Sequence, residues 1–209
     1  MSSRFIAIAA ALLVTAAVAA PAGAQEGNLI PVPVAEVAVG YTFMRDLNDF
    51  HDWNGTNFPA GWYTSGAMNL TRWMGVVGEA SGSYKNNLFN QTLEGVNAKA
   101  DGRVYTFLGG PRFFYKRGRI APHLQMLVGA THFRVNGQVS YATLTATHTE
   151  TSTNFTLQPG GGVTIYLTPS IGARVTADFR TAMQFEGPGT DYNHQLRLAS
   201  GLTFNWGRR

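Results

Sequence analysis

Eight segments of the chain alternate between apolar and polar residues with a period of two, the pattern of β-strands that have one apolar face. In the first segment, Val37 and Val39 share one face, and Glu36 and Ala38 share the other. Each segment is long enough to cross a bilayer as a tilted strand, for which about 9–11 residues suffice. The predicted strands are residues 34–44, 62–73, 76–84, 103–115, 120–135, 155–167, 171–183 and 194–206.

The connections between these segments alternate strictly between short and long. Short connections at residues 73–75, 116–119 and 168–170 follow the second, fourth and sixth strands. Long connections follow the first, third, fifth and seventh strands, at residues 45–61, 85–102, 136–154 and 184–193. This alternation is typical of membrane barrels with tight turns on one rim and long loops on the other. The sequence therefore predicts an all-β fold, an eight-stranded antiparallel transmembrane β-barrel in up-and-down meander order.

The first 24 residues have the pattern of a cleaved signal peptide. A short basic start containing Arg4 precedes an apolar run over residues 5–20, and Ala22-Gly23-Ala24 supplies the small residues of a cleavage site. We expect a mature chain that begins at Gln25, with the barrel domain over residues 25–209. The alternative is a retained membrane anchor. No cysteine follows the apolar run, so there is no lipoprotein attachment site.

Composition narrows the class of protein. The chain has no cysteine, so an exported form is stabilised by core burial or by bilayer insertion rather than by disulfides. Charged residues make up 13% of the chain, and glycine is frequent, with 24 residues. The net charge of +4 falls to +3 when Arg4 leaves with the signal peptide. This small, dispersed charge predicts no nucleic-acid partner.

Three short motifs carry a resemblance to a known family. They are residues 108–112 (Leu-Gly-Gly-Pro-Arg), residues 160–163 (Gly-Gly-Gly-Val) and the ending with Gly201, Phe204 and Trp206. With them, the chain resembles the small eight-stranded outer-membrane β-barrels, the OmpA/OmpX-like family of the Gram-negative envelope.

The resemblance implies an outer-membrane location and an assembly signal. Gly201, Phe204 and Trp206 match the terminal-strand motif that the outer-membrane assembly machinery recognises. The chain departs from that motif by continuing for three residues beyond Trp206, where many members stop at the aromatic residue. The alternative interpretation is an amphipathic last strand whose aromatics belong to the interfacial girdle.

Charged residues lie on the predicted inner faces of several strands. An eight-stranded barrel is just wide enough for side chains to fill it, and unpaired buried charges are costly. We therefore predict a polar plug of ion pairs, with Arg197 near Glu36, Glu79 near Arg112, and Asp178 between two arginines. The alternatives are a gated pore or a catalytic carboxylate set. The predicted lumen charges are Glu36, Glu79, Arg112, Arg174, Asp178, Arg180 and Arg197, with His123 on the same inner faces.

Other chemistry-bearing residues do not form a recognisable site. The glycines at 160–162 lack the Lys-Ser/Thr pair and the helix of a phosphate-binding loop. The histidines lack metal-site spacing, and no Ser-His spacing marks a catalytic triad. We expect no catalytic residue, cofactor or metal. The five histidines are His51, His123, His132, His148 and His194.

Two of the long loops have a distinctive composition. Residues 46–55 mix acidic and aromatic side chains, which can bind a partner. Threonines alternate from Thr143 to Thr153, a period that suits a hairpin prolonged beyond the membrane. The preferred interpretation of both segments is a solvated loop.

The function predicted from these observations is non-enzymatic. A barrel with a filled lumen would stabilise the envelope or present its loops for interaction. The expected partners are outer-membrane lipids, the assembly machinery and an extracellular ligand of the long loops. The alternatives are a lipid-modifying hydrolase or acyltransferase with a Ser-His-acid cluster at the rim, a narrow gated pore, and a soluble lipocalin-like carrier with an apolar interior.

Overall fold

A computed structural model describes residues 32–47, 57–93, 96–141, 144–186 and 189–207. The predicted signal peptide and the 48–56 part of the first loop lie outside these ranges. Eight long strands account for most of the described chain. They are β1 (Ala35–Asp46), β2 (Ala60–Asn69), β3 (Met74–Leu93), β4 (Val96–Phe114), β5 (Ile120–Tyr141), β6 (Leu144–Tyr166), β7 (Ile171–Glu186) and β8 (Gly189–Trp206).

The strands form a closed antiparallel barrel. Each strand pairs with the next along the chain, and β1 pairs with β8 along its whole length, from Ala35–Trp206 to Asp46–Gln195. The predicted all-β, eight-stranded meander is therefore confirmed. A further two-residue strand, Asn57–Phe58, pairs with the end of β1 and continues the β1–β2 ladder towards the long-connection end.

Three of the four long connections differ from their prediction as loops. The β3–β4 pairing continues to Leu93–Val96, and the β5–β6 pairing continues to Tyr141–Leu144. The β7–β8 pairing likewise continues to Glu186–Gly189. The preference for a solvated loop over residues 136–154 was wrong, and the prolonged hairpin is observed. The alternating threonines there are β-branched residues that favour extended backbone.

The two rims of the barrel are consequently different. One end, the hairpin rim, carries the extended β3–β4, β5–β6 and β7–β8 hairpins. The other end, the turn rim, carries the turns at residues 70–73, 115–119 and 167–170. The hydroxyl oxygens of Thr71 and Thr168 each accept hydrogen bonds from the backbone N–H groups of the second and third residues that follow, which fixes these short reversals.

The distribution of apolar residues is inverted relative to a soluble protein. On β5, Leu124 is 69% exposed on the outer face, whereas Leu127 is fully buried in the interior. The apolar faces, which lie opposite the predicted inner faces, point outward on all eight strands. The interior also contains a small apolar cluster that the predicted inner faces did not emphasise: Ala67, Val77, Leu108 and Leu127.

The seam between β1 and β8 depends on two facing glycines. Gly201 lies opposite Gly40, and a Cβ atom on Gly201 would come within 2.3 Å of the Val39 carbonyl oxygen and 2.8 Å of the Gly40 Cα. The absence of a side chain therefore lets the first and last strands close tightly beside Tyr63.

Among the described residues, no helix is long and apolar enough to cross a membrane.

The inverted surface generates a testable prediction. Val128→Arg places a charge within the exposed apolar band and should destabilise the membrane-inserted barrel by about 2–4 kcal/mol. Gln138→Arg is the matched control, since Gln138 is exposed on the same face of β5, ten residues towards the hairpin rim. Urea titration of vesicle-inserted protein measures both. Equal destabilisation by the two changes would contradict the assignment of the lipid face.

Candidate functional site

The structure brings the seven predicted lumen charges into the barrel interior, on five of the eight strands. Their exposed fractions range from 1% to 8%. Inward orientation follows from strand alternation, because residues two apart point to the same side. They are Glu36 on β1, Glu79 on β3, Arg112 on β4, Arg174, Asp178 and Arg180 on β7, and Arg197 on β8.

The cluster nearest the turn rim is centred on one carboxylate. Glu36 Oε1 accepts hydrogen bonds from Arg112 Nη1 at 2.6 Å and from Arg174 Nη2 at 2.5 Å. Arg174 Nε also donates to the Thr164 hydroxyl at 2.9 Å. One carboxylate thus ties together strands β1, β4 and β7 across the interior.

A second cluster lies further towards the hairpin rim, with the charges reversed. Arg197 Nη1 bonds Asp178 Oδ2 at 2.7 Å and Glu79 Oε1 at 3.0 Å, so one guanidinium serves two carboxylates. Its Nε donates to the Thr42 hydroxyl at 3.0 Å, and its central carbon lies 5.3 Å from the centroid of the Tyr63 ring. Strands β3, β7 and β8 are joined in this way.

One glutamine connects the two ionic clusters and another connects the second cluster to Arg180, and sequence reasoning assigned neither of them such a role. Gln125 Oε1 accepts from Arg112, at 2.9 Å from its Nη2, while Gln125 Nε2 donates to Asp178 Oδ1 at 3.0 Å. Gln158 donates to Glu79 at 3.4 Å and accepts from Arg180 Nε at 2.8 Å. A primary amide can link unlike ions because it carries a donor and an acceptor. The sequence feature that could have identified both glutamines is their inward position on the predicted strands.

Arg180 is held mainly by neutral groups. Besides Gln158, it donates to the Thr106 hydroxyl at 3.1 Å, the Ser81 hydroxyl at 3.4 Å and the Met44 sulfur at 3.5 Å. The seven lumen charges comprise four arginines and three carboxylates. Their excess of one positive charge is distributed through a hydrogen-bonded network rather than neutralised by a contact with each cation.

An apolar cluster lies beside Arg180 in the interior, and sequence reasoning did not identify it. Met44, Phe58 and Val104 are buried together, and Phe133 packs against them. Phe58 reaches this position because its two-residue strand pairs with β1 at Met44. Its sequence position, within what reads as a loop, gave no periodic signal.

The expected charge partners were wrong in two cases. Arg197 was expected beside Glu36, but it lies opposite Met44 on β1, eight residues and about 26 Å further along the strand. Arg112 was expected beside Glu79, yet Glu79 lies opposite Leu108, four residues and about 13 Å away. Adjacent strands do not ensure adjacent side chains. Strand tilt instead brings residues of non-adjacent strands to the same level of the lumen.

The turn-rim end of the interior is narrow. A cavity of about 10 Å³ lies among Glu36, Arg112, Arg174 and His123, which is room for about one water molecule. At the rim itself, Lys116 Nζ lies 4.3 Å from the centroid of the Tyr166 ring. Burial lowers the pKa of the Lys116 ammonium group to about 8.

The enzyme alternative requires a histidine beside a serine at the rim. The described histidines near the hairpin rim instead contact threonine hydroxyls and a carboxylate. The His132 ring nitrogen lies 2.9 Å from the Thr153 hydroxyl, and that of His194 lies 3.2 Å from the Thr181 hydroxyl. His148 contacts Glu150 at 3.3 Å on the exposed hairpin. Within the described ranges, no group of three or more His, Asp or Glu side chains could hold a metal ion. His51 lies outside the described residues.

Comparison with solved structures identifies similar folds. The chain is similar to Ail, the attachment invasion locus protein of Yersinia pestis, with 17% identity, a TM-score of 0.53, and coverage of 81% of this chain and 97% of that one. Ail in complex with the heparin analogue sucrose octasulfate gives a TM-score of 0.52 at the same identity and coverage. Neisserial surface protein A gives 10% identity, a TM-score of 0.54, and coverage of 82% and 97%.

No protein-family model and no curated protein sequence matches the chain. The closed meander of eight strands nevertheless agrees with the fold of these proteins, and this chain combines it with a charged interior and an apolar exterior. These features define the class as a small eight-stranded β-barrel whose outer surface suits a lipid bilayer. The charged, hydrogen-bonded interior also contradicts the alternative of a lipocalin-like carrier with an apolar cavity.

Removal of the central carboxylate tests the ionic network. Glu36→Gln leaves Arg112 and Arg174 without their shared anion and should destabilise the folded barrel by about 3–5 kcal/mol if the site is dry. Glu150→Gln is the matched control, because the Glu150 side chain is 75% exposed; its effect should stay within about 0.5 kcal/mol. Reversible unfolding in detergent measures both. Similar stabilities of the two variants would contradict a stabilising role for Glu36.

A glycine-to-alanine substitution tests whether the Asp178 carboxylate needs the space left by the missing side chain of Gly160. Gly160 lies opposite Asp178, and a Cβ atom there would be only 1.9 Å from Asp178 Oδ1. Gly160→Ala should therefore displace the carboxylate from Arg197 and destabilise the barrel by about 1–3 kcal/mol.

Gly78→Ala provides the control for this change. A Cβ atom at Gly78 meets no atom within 4 Å, so the same substitution should be neutral or slightly stabilising. Both variants are compared by urea midpoint at constant m-value. A Gly160→Ala barrel as stable as Gly78→Ala would show that the Asp178 carboxylate tolerates displacement.

Proposed function

We propose that the protein is a non-enzymatic outer-membrane barrel that stabilises the envelope and presents its hairpins for interaction, with a lumen that does not conduct. The observation that carries this proposal is the continuous bonding of interior side chains from Glu36 to Arg180. An enzyme or a pore needs a solvent-accessible cleft or channel. Here the largest charged side chains instead occupy the axis of a barrel that is just wide enough to hold them.

Further contacts support a closed lumen. Thr156, Thr131 and Thr106 form a hydroxyl chain along the inner wall over three adjacent strands, with oxygen separations of 2.7 and 3.2 Å. The apolar cluster of Met44 and Phe58 lies beyond them, towards the hairpin rim. Ion movement would therefore require several bonded side chains to move together, rather than one gating residue.

The location follows from the inverted surface and the predicted export signal. We propose that residues 1–24 are removed during export, and that Gly201, Phe204 and Trp206 serve as the assembly signal on the last strand. Trp206 is exposed on the outer face of β8 near the turn rim, where an assembly factor can reach it before closure. In this orientation the turn rim faces the periplasm and the hairpin rim faces outward.

Interaction through the hairpins is the second part of the proposal. The β5–β6 hairpin carries exposed polar groups, including His148 and Glu150, beyond the apolar band. The Ail structure with sucrose octasulfate supplies an example of this barrel fold in complex with a polyanionic sugar. We therefore expect an extracellular ligand to bind at the hairpin rim.

Planar-bilayer recording tests the closed lumen. Protein extracted from outer membranes should have the mass of a chain that begins at Gln25. In the recording it should give little or no steady conductance. Arg180→Ala combined with Arg197→Ala removes two fully buried side chains and should increase transient openings. A large, stable channel in the parent protein would overturn the proposal and favour a pore.

A further inference from the structure

Two arginines face each other on the outer surface of the barrel. Arg103 on β4 and Arg134 on β5 are directly opposite in the strand register, and both are exposed. Strand alternation places Arg103 on the same face as Phe107, and Arg134 on the same face as Val128, so both point outward. Like charges in directly opposed positions repel each other, which favours an anion between them.

The position of the pair along the barrel coincides with the edge of the apolar band. On β5, the outward positions are apolar from Ile120 to Ala130, ten residues apart. This distance is about 33 Å along the strand, or about 25 Å along the membrane normal at ordinary tilt, which matches a bilayer-spanning band. Arg134 is the second outward position beyond the band, and therefore lies at the level of lipid headgroups.

Aromatic residues mark the same level independently. Tyr84 lies opposite Arg103 in the register, and its ring makes an edge contact with Tyr105 at 5.9 Å between centroids. Trp62 Nε1 donates to the Tyr84 hydroxyl at 2.9 Å. Tyrosine and tryptophan gather at membrane–water interfaces, where one end of the ring is apolar and the other is hydrated.

Other polar groups near the pair leave its charge positive. Asp101 is the next outward residue on β4, about 7 Å further from the band, and lies opposite Asn136. Asn136 Oδ1 accepts a hydrogen bond from Arg134 Nε at 3.4 Å. These two cations and this one more distant anion together carry a net charge of +1 at the border of the apolar band.

We propose that Arg103 and Arg134 form a clasp for a phosphate group of an outer-leaflet glycolipid headgroup. Guanidinium groups bind phosphate oxygens in bidentate geometry, and two of them from adjacent strands can hold one phosphate from both sides. The occupant is a lipid because the side chains point into the membrane plane at headgroup level. The inference rests on the proposed outer-membrane orientation, which places the hairpin rim in the outer leaflet.

Native mass spectrometry of the folded protein in detergent tests the clasp with diphosphorylated lipid A as the probe. The parent protein should retain this lipid, and R103Q/R134Q should bind it at least tenfold more weakly. The matched control is R117Q/R119Q, which removes the same charge from two exposed arginines in a turn at the opposite rim. It should bind like the parent. Dephosphorylated lipid A should bind weakly to all three proteins.

Several outcomes would overturn the clasp. They are unchanged lipid binding by R103Q/R134Q, equal loss in R117Q/R119Q, or no preference for the phosphorylated lipid. Displacement of lipid A by a soluble sulfated oligosaccharide at equal concentration would assign the surface to a soluble polyanion instead. If the double variant does not fold, R103Q and R134Q singly should each weaken binding, and R103K should retain part of it.

Heat-modifiable gel migration separates this test from the proposed function. A protein that shows the shift of a folded barrel but does not select phosphorylated lipid lacks the clasp, while the barrel assignment stands. A protein that shows no such shift fails as a membrane barrel, whatever it binds. The lipid-binding measurement does not depend on whether the lumen conducts ions.

Discussion

Every backbone N–H and C=O group within a bilayer must find a partner in the protein, because hydrocarbon offers none. In this chain the pairing of β1 with β8 meets that requirement by removing both edges of the sheet. The facing glycines Gly40 and Gly201 let the seam close at short range. Closure with eight strands then sets the width of the interior, and this width brings the inward side chains into contact. The ionic network is therefore a consequence of closure as much as of charge.

The buried charged side chains of the interior share their ion-pair partners. Glu36 serves two arginines, Arg197 serves two carboxylates, and Gln125 bonds both clusters. Sharing reduces the number of buried groups without a partner, which would be costly in a narrow and poorly hydrated space. It also makes the parts interdependent, because loss of one member leaves charges on several strands. Arg180 extends this network through neutral acceptors to the apolar cluster that contains Met44.

The exterior obeys a different constraint along the same strands. Apolar residues cover the length that meets lipid, aromatic side chains occupy its edges, and the hairpins continue beyond it. One strand can therefore serve three environments, as β5 does from Leu124 through His132 to the exposed Gln138. The opposed Arg103 and Arg134 lie where the second environment gives way to the third. Their repulsion is unfavourable within the protein alone, and an anionic headgroup would relieve it.

The sequence by itself determined which residues form the strands and which side each residue faces. Both properties are local, because side-chain alternation is fixed by the pleat of the individual strand. For the same reason the inward orientation of Glu36 and Arg197 could be predicted. Their partners could not, because partners depend on register and tilt, which are properties of the closed barrel. Register separates Arg197 from Glu36 along the seam, and tilt brings Arg112 and Arg174 to it from non-adjacent strands. The buried position of Phe58 has a similar origin, since only its pairing with β1 positions a residue that carries no periodic signal.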